Sequence, residues 1–226
     1  MKLYLTKITE YYDKDTLDNR MSLLCLQRRR LAESYRNEAD RIRSVAAGVL
    51  LQKGIEEYLG EEAYKRLIAE DGRPVLNICH HPSGKPYLAA YPDCFFSISH
   101  SGDYVGVLFA NREVGLDIQI ERPCKKELLF KKFHPAELAT FVQMDETARE
   151  KYFWQLWCAK EAYVKYTGKG LGESFAGFRV DSDKQVICDG EENVLACITQ
   201  IDLGMPFCHC AVASETENAL IEMIWE

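Results

Sequence analysis

The stretch FWQLWCAKEAYVKYTGKGL, Phe153 to Leu171, decides how the rest of the chain is read. Wound as a helix it puts Phe153, Leu156, Trp157, Lys160 and Val164 on one face, at the i, i+3, i+4, i+7 and i+11 positions. Four of those five residues are apolar, so the stripe points at a core, yet a lysine stands inside it. Glu161 and Lys165 lie one turn apart at the edge of the stripe. Gly168 and Gly170 supply the helix stop. A buried lysine needs a partner or it gives up its proton. Two readings follow. Lys160 snorkels beside an ordinary Glu-to-Lys pair, contributing roughly 0.2–0.5 kcal/mol, or the helix edge offers cations and one carboxylate to a phosphate-rich ligand.

Working outward, the segments on either side alternate between helix and strand signals. MKLYLTKI reads as a first strand, and the chain is helical in character from about Leu17 to Leu59, with a basic cluster at Arg28, Arg29 and Arg30. Inside that region DRIRSVAAGVLLQKGI is amphipathic, with Arg41 and Ser44 on one flank. HPSGKPYL (His81–Leu88) is a loop by its proline and glycine. CFFSISH, YVGVLFA and VGLDIQI, separated by SGD and NRE, predict an up-down-up meander. Helical pattern returns through KKELLFKKFHPAELATF and the opening stretch. FRVD, KQVIC, ACITQID, HCAVAS and ALIEMIW then read as short strands. Helices grouped with antiparallel strands, twice over, predict an α+β fold. The expected organisation is two similar α+β subdomains, 1–110 and 111–226, related by a pseudo-twofold axis with the active site between them.

Composition limits the function classes. The chain has 226 residues, 47% of them hydrophobic and 28% charged, with a net charge of −7. That describes a globular chain with a real core and argues against a surface given over to nucleic acid. No apolar run approaches the length that crosses a membrane, and the N-terminus meets acidic residues too early for a signal peptide. Nine cysteines, scattered and without a C-x-x-C, suit a reduced cytoplasmic setting. FCHCAV (Phe207–Val212) turns Cys208 and Cys210 to one side of a strand and His209 to the other, and no second ligand cluster accompanies it, so zinc is not expected there.

In the strand from Val114 to Glu121, residues Val114, Leu116, Ile118 and Ile120 share one face, and Gly115, Asp117, Gln119 and Glu121 the other. Such a strand commonly has one wet face. Here, though, the glycine before Asp117 leaves room for something to approach the backbone. Side chains 117 and 119 stand about 7 Å apart along the strand, from its ~3.4 Å rise, and two oxygen ligands so placed suit Mg²⁺. His100 ends the first meander strand, and in a simple meander lies toward the Ile120 end of the third. Lys85 sits exposed on a stiff loop.

Four segments in order, GKPYL, FSISHSGDYV, VGLDIQIERP and FWQLWCAKEAYVKYTGKGL, together with the DRIRSVAAGVLL helix, resemble the 4′-phosphopantetheinyl transferases, in particular the monomeric type that activates surfactin synthetase. The W-x-x-K-E-A-x-x-K core followed by G-x-G-L is the specific signal. The resemblance covers about residues 28 to 180. It implies transfer of phosphopantetheine from coenzyme A to a serine of an apo carrier protein, with 3′,5′-ADP leaving and Mg²⁺ as cofactor. It assigns Asp117 and Glu161 as metal-binding carboxylates, with Gln119 completing the metal site. Glu161 is the candidate general base, directly or through a metal-bound water, and Asp117 and Lys165 are expected to act beside it. For coenzyme A it implies Arg28, Arg43, Ser44, Gly84, Lys85, Pro86, Ser99, His100, Lys160 and Lys165, and it sets Glu137 near the site.

The chain departs from the pattern at two positions. The D-x-E pair reads Asp117-Ile118-Gln119, and a second basic position falls on Leu31. The expected partner is an acidic carrier protein, met by Arg122, Lys125, Lys126, Lys131 and Lys132. No nucleic acid and no membrane is expected, and the protein is expected to be a monomer. The competing reading is a non-catalytic coenzyme A or nucleotide-binding module that lost its metal centre, which Gln119 alone suggests.

Overall fold

The computed structural model of the protein describes residues 1–123, 131–217 and 219–226. Two 22-residue helices each lie across a sheet, and each pairing builds its own unit. The first unit comprises 1–81, 86–112 and 221–226, the second 82–85 and 113–220.

In unit 1 the strand β1 (Lys2–Lys7) is followed by the helices α1 (Lys14–Ser22), α2 (Leu26–Ser34), α3 (Glu38–Leu59) and α4 (Glu61–Lys65). The strands β2 (Ile78–His80) and β3 (Pro86–Leu88) pair with one another. β4 (Phe95–Ser101) and β5 (Tyr104–Ala110) complete the main sheet, together with the last strand of the chain, β11 (Glu222–Trp225). The order is β11-β1-β5-β4, antiparallel except for the parallel β1–β11 pair.

α3 begins where the Asn37 side chain accepts a hydrogen bond from the Asp40 N–H, relieving one of the unpaired donors of a first turn. Its buried stripe, Val45, Leu50, Leu51 and Ile55, packs in one core with Val105, Val107 and Phe109. Gly54 makes the close contact possible, since a Cβ there would meet Phe109 Cε2 at 2.0 Å.

Unit 2 holds β6 (Gly115–Ile120), α5 (Pro135–Gln143), α6 (Glu146–Thr167), β7 (Arg179–Asp181), β8 (Val186–Cys188), β9 (Val194–Ile201) and β10 (Cys208–Ser214). Its sheet is antiparallel throughout, in the order β6-β10-β9-β8-β7. α5 opens on a capping box in which His134 accepts from the Ala136 N–H and Glu137 accepts from the His134 N–H. α6 is capped by Asp145 and ends at Gly168, whose φ of +66° is the left-handed conformation expected of a glycine stop.

The α+β class is as expected, and β4 and β5 form the expected hairpin. The third meander strand does not follow them. The second edge of β5 is taken by β1, with Lys2 opposite Phe109, and β6 pairs with β10 in the other unit. The inference that His100 lies near the end of β6 therefore loses its basis, because adjacency in sequence did not become adjacency in a sheet. The division also differs from a cut at 110/111. Unit 1 runs to 112 and regains 221–226 through the β1–β11 pairing, while 82–85 goes with unit 2.

Candidate active site

In unit 2 the geometry starts from a missing side chain. A Cβ on Gly115 would lie 1.9 Å from the Ala162 carbonyl oxygen and 2.5 Å from the Tyr166 nitrogen, so only glycine lets the α6 backbone come down onto β6. What approaches the strand at this position is thus a helix. The Gly115 and Asp117 face is covered rather than wet, and Asp117 is 2% exposed. A buried carboxylate needs donors. Lys165 Nζ donates to Asp117 Oδ1 at 2.7 Å, Gln119 Nε2 donates to Oδ2 at 2.8 Å, and the Cys158 thiol of α6 donates to the Asp117 backbone oxygen at 3.1 Å.

Glu161, one turn before Lys165, is half-buried. Its carboxyl is pushed above the usual range by burial and then by the Asp117 charge, while Lys165 and Lys132 pull it down. Asp117 and Glu161, 44 residues apart in sequence, thus lie within electrostatic reach of each other beneath one helix edge.

Lys160 is elsewhere. It is fully buried, and its ammonium spends its three donors on Phe175 O at 2.7 Å, Phe178 O at 2.8 Å and Glu137 Oε1 at 3.0 Å. It also lies 4.4 Å from the Phe178 ring centroid. Burial lowers its pKa to about 8 against the upward pull of Glu137. The sequence reading set Lys160 beside the phosphates. The structure gives it to the core of its own helix face, as the apolar stripe implies.

Lys85 is similarly committed. Its ammonium pairs with Glu113 and donates to Val114 O at 3.1 Å and Tyr166 O at 3.0 Å, capping the last turn of α6. Neighbouring Gly84 is exposed at φ +92°, and Pro86 opens β3. Glu121 lies just past the end of β6 and pairs with His209 of β10 at 2.7 Å. Of the lysines expected to meet a carrier, Lys131 and Lys132 are exposed, as is Arg122, while Lys125 and Lys126 fall outside the described residues.

In unit 1 Arg28 lies on α2, Arg43 and Ser44 lie in the first turns of α3, and Ser99 and His100 lie on β4. Arg28 Nη2 donates to the Ser44 backbone oxygen at 2.9 Å. Arg28 Nε, Arg41 Nε and Ser44 Oγ are buried with no hydrogen-bond partner among the described residues. Burial lowers the Arg28 pKa. Arg43 bonds Gly102 O at 3.0 Å and Asp40 Oδ1 at 2.5 Å. His100 is exposed two residues before Gly102, on the sheet face it shares with Phe96 and Ile98, whereas Ser99 is buried on the opposite face. The reading of the sequence placed Arg41 on this flank without giving it a role. What marks it is an unpaired buried nitrogen, which only coordinates reveal.

Among the described residues no cluster of three or more His, Cys, Asp or Glu side chains is placed to hold a metal. No helix there is long and apolar enough to cross a membrane.

Comparison with known proteins follows the same lines. Residues 113–197 match the model of the 4′-phosphopantetheinyl transferase superfamily. The chain is 25% identical over 217 residues to the 4′-phosphopantetheinyl transferase Sfp of Bacillus subtilis strain 168, covering 93% of this chain and 92% of that one. It is 26% identical over 232 residues to the 4′-phosphopantetheinyl transferase ffp of Bacillus subtilis, covering 100% and 99%. A third relative, a 4′-phosphopantetheinyl transferase of Bacillus subtilis, is 34% identical over 97 residues, 43% of each chain. The resemblance read from four motifs is borne out along nearly the whole chain.

Proposed function

We propose that this chain is a 4′-phosphopantetheinyl transferase, moving the phosphopantetheine group of coenzyme A onto a serine of an apo carrier protein and releasing 3′,5′-ADP. The observation that supports it most is the convergence of Asp117, Glu161 and Lys165 where α6 crosses β6. The names of the relatives give the reaction class, and the chemistry of these side chains fits it. The serine oxygen forms a bond to the phosphorus that carries pantetheine. The bond from that phosphorus to the bridging oxygen breaks, and 3′,5′-ADP leaves with the electron pair. Such transfers depend chiefly on positioning and on stabilising charge.

Glu161 accepts the serine proton. A carboxyl raised by burial and by a neighbouring anion is a better base near neutral pH than an ordinary one. Lys165 holds Asp117 in place and brings a positive charge to the phosphates. The donor set also fits Mg²⁺, which uses one or two carboxylates and completes its shell with water and phosphate oxygens. The mutual repulsion that raises Glu161 is what a divalent cation relieves. Asp117 and Glu161 are the residues that would hold it, with Gln119 contributing at most an uncharged oxygen. When bound, the ion neutralises charge on the diphosphate.

In unit 1 the unpaired donors of Arg28, Arg41 and Ser44, with His100 and Arg43, suit a phosphate group of coenzyme A, since a guanidinium binds phosphate bidentately. Lys132, Lys131 and Arg122 are offered to an acidic carrier.

The test is to incubate the protein with an apo carrier protein, coenzyme A and Mg²⁺ and to weigh the carrier. A gain equal to phosphopantetheine is expected, and no gain with any of several acyl and peptidyl carriers overturns the reading. The amide of Gln119 where an acid is usual favours a second reading, a coenzyme A-binding module without catalysis. Coenzyme A binding without transfer to any carrier selects it.

A further inference from the structure

The geometry points to a role for Lys160 and Glu137 other than the coenzyme A contact and the nearness to the site that the resemblance implies. They are positioning residues, a buried clamp that fixes the rotation and register of α6 and so aims Glu161 and Lys165 at Asp117. The inference rests on the transferase reading and deepens it.

Glu137 is 2% exposed and works in three directions. Oε2 closes the capping box of α5 through the His134 N–H at 2.9 Å. Oε1 accepts from the Val180 N–H at 2.7 Å, at the start of the sheet's far edge, and takes Lys160 at 3.0 Å. Lys160 in turn holds the carbonyls of Phe175 and Phe178. One ion pair therefore ties α5, the 175–180 segment and α6 together.

A buried ion pair contributes little net stability compared with apolar residues of the same volume. What it supplies is direction, because its bonds are satisfied at one azimuth of the helix only. Successive helix residues are rotated by about 100°. Fixing the azimuth of Lys160 thus fixes that of Glu161 next to it and of Lys165, which lies ~40° from Glu161 one turn on. The apolar stripe of Phe153, Leu156 and Val164 is less exacting by itself, since apolar contacts are non-directional. A misplacement of about 1 Å at a reacting centre costs on the order of 100-fold in rate.

The test uses the full chain with Glu137→Gln and with the double variant Lys160→Met/Glu137→Met, which replaces the pair by apolar volume. Three readouts are taken: coenzyme A affinity by calorimetry, kcat for an apo carrier, and the fluorine spectrum of 5-fluorotryptophan at Trp154 and Trp157 on α6. Coenzyme A binding is expected to stay within about twofold, kcat to fall roughly 10- to 100-fold, and the Trp157 line to broaden or split as α6 samples more than one roll.

A tenfold or greater loss of coenzyme A affinity with unchanged tryptophan lines makes Lys160 a phosphate ligand and overturns the inference. Unchanged kcat overturns it in favour of a purely structural pair. Should the double variant fail to fold, Glu137→Gln, which keeps the volume, carries the test. If the wild-type protein modifies no carrier, the transferase reading falls, while the coenzyme A affinity and the tryptophan lines still decide whether the clamp sets the helix.

Discussion

In unit 1 the polar atoms left over after folding are donors. Arg28 Nε, Arg41 Nε and Ser44 Oγ are buried without acceptors, and no carboxylate lies within salt-bridge distance of Arg28 among the described residues. In unit 2 the acids are held by cations and amides. Asp117 takes Lys165 and Gln119, Glu137 takes Lys160, and Glu161 is pushed upward by burial and then by the Asp117 charge, against the pull of two lysines. Unsatisfied buried donors are costly unless a ligand meets them. They are the donors that the proposed function assigns to a phosphate of coenzyme A. A carboxyl held away from its ordinary pKa marks a place built for proton transfer. The two helices look alike in length and in their use of a glycine to reach a sheet, at Gly54 and Gly115, yet one leaves buried donors unpartnered among the described residues and the other carries a perturbed carboxyl.

That contrast makes graded predictions. Glu161→Ala removes the proton acceptor and one carboxylate of the acid pair, so kcat should fall by 10³-fold or more while coenzyme A affinity changes little. Carrier mass gain and calorimetry together check this, and full activity in the variant removes Glu161 from the chemistry.

Gly115→Ala puts a methyl into the Ala162 carbonyl. Overpacking against backbone should cost about 3 kcal/mol or more, read as a fall in Tm, and should disturb unit 2 without touching Arg28, Arg41 and Ser44 of unit 1. An unchanged melting temperature contradicts the close approach of α6.

Arg28→Ala takes a charge-assisted phosphate contact, worth about 1.5–3 kcal/mol. KM for coenzyme A should therefore rise roughly 10- to 100-fold at constant kcat, and less at high salt. A fall in kcat instead breaks the division between binding and chemistry.

The smallest effect concerns pH. The raised Glu161 pKa means that the carboxylate is lost as pH falls through that raised value, so the acid limb of kcat lies above the ordinary glutamate range. Lys132 lowers this pKa. Lys132→Gln should move the limb to higher pH and leave the plateau unchanged, and a limb that moves down or stays contradicts the assignment.

Local pattern carried a good part of this. The period of Phe153, Leu156, Trp157 and Val164 determines a helix, Gly168 its end, and the alternation from Val114 to Glu121 a strand. The motif order is enough to suggest the chemistry. The same stripe already put Lys160 among core positions. The resemblance implies a phosphate contact for Lys160, whereas in the structure it is fully buried and bonded to Phe175 O, Phe178 O and Glu137. The other departures arise where the sequence has no local term. The pairing of β6 with β10 and the return of β11 to β1 join residues 88 or more positions apart, and strand partners are chosen by whichever edges the assembled core leaves open.

What the amino-acid order determined by itself is therefore the elements, the α+β class and the side chains able to do phosphoryl chemistry, because helix and strand periods and residue chemistry are properties of a few neighbouring positions. What only the tertiary structure decided is which of those side chains are spent. Lys160 and Lys85 make their bonds within the fold, Lys165 reaches Asp117, and Arg28 Nε, Arg41 Nε and Ser44 Oγ have no partner among the described residues. A donor is used up or left open by groups that meet it through space, and those meetings are fixed only when the whole chain has packed.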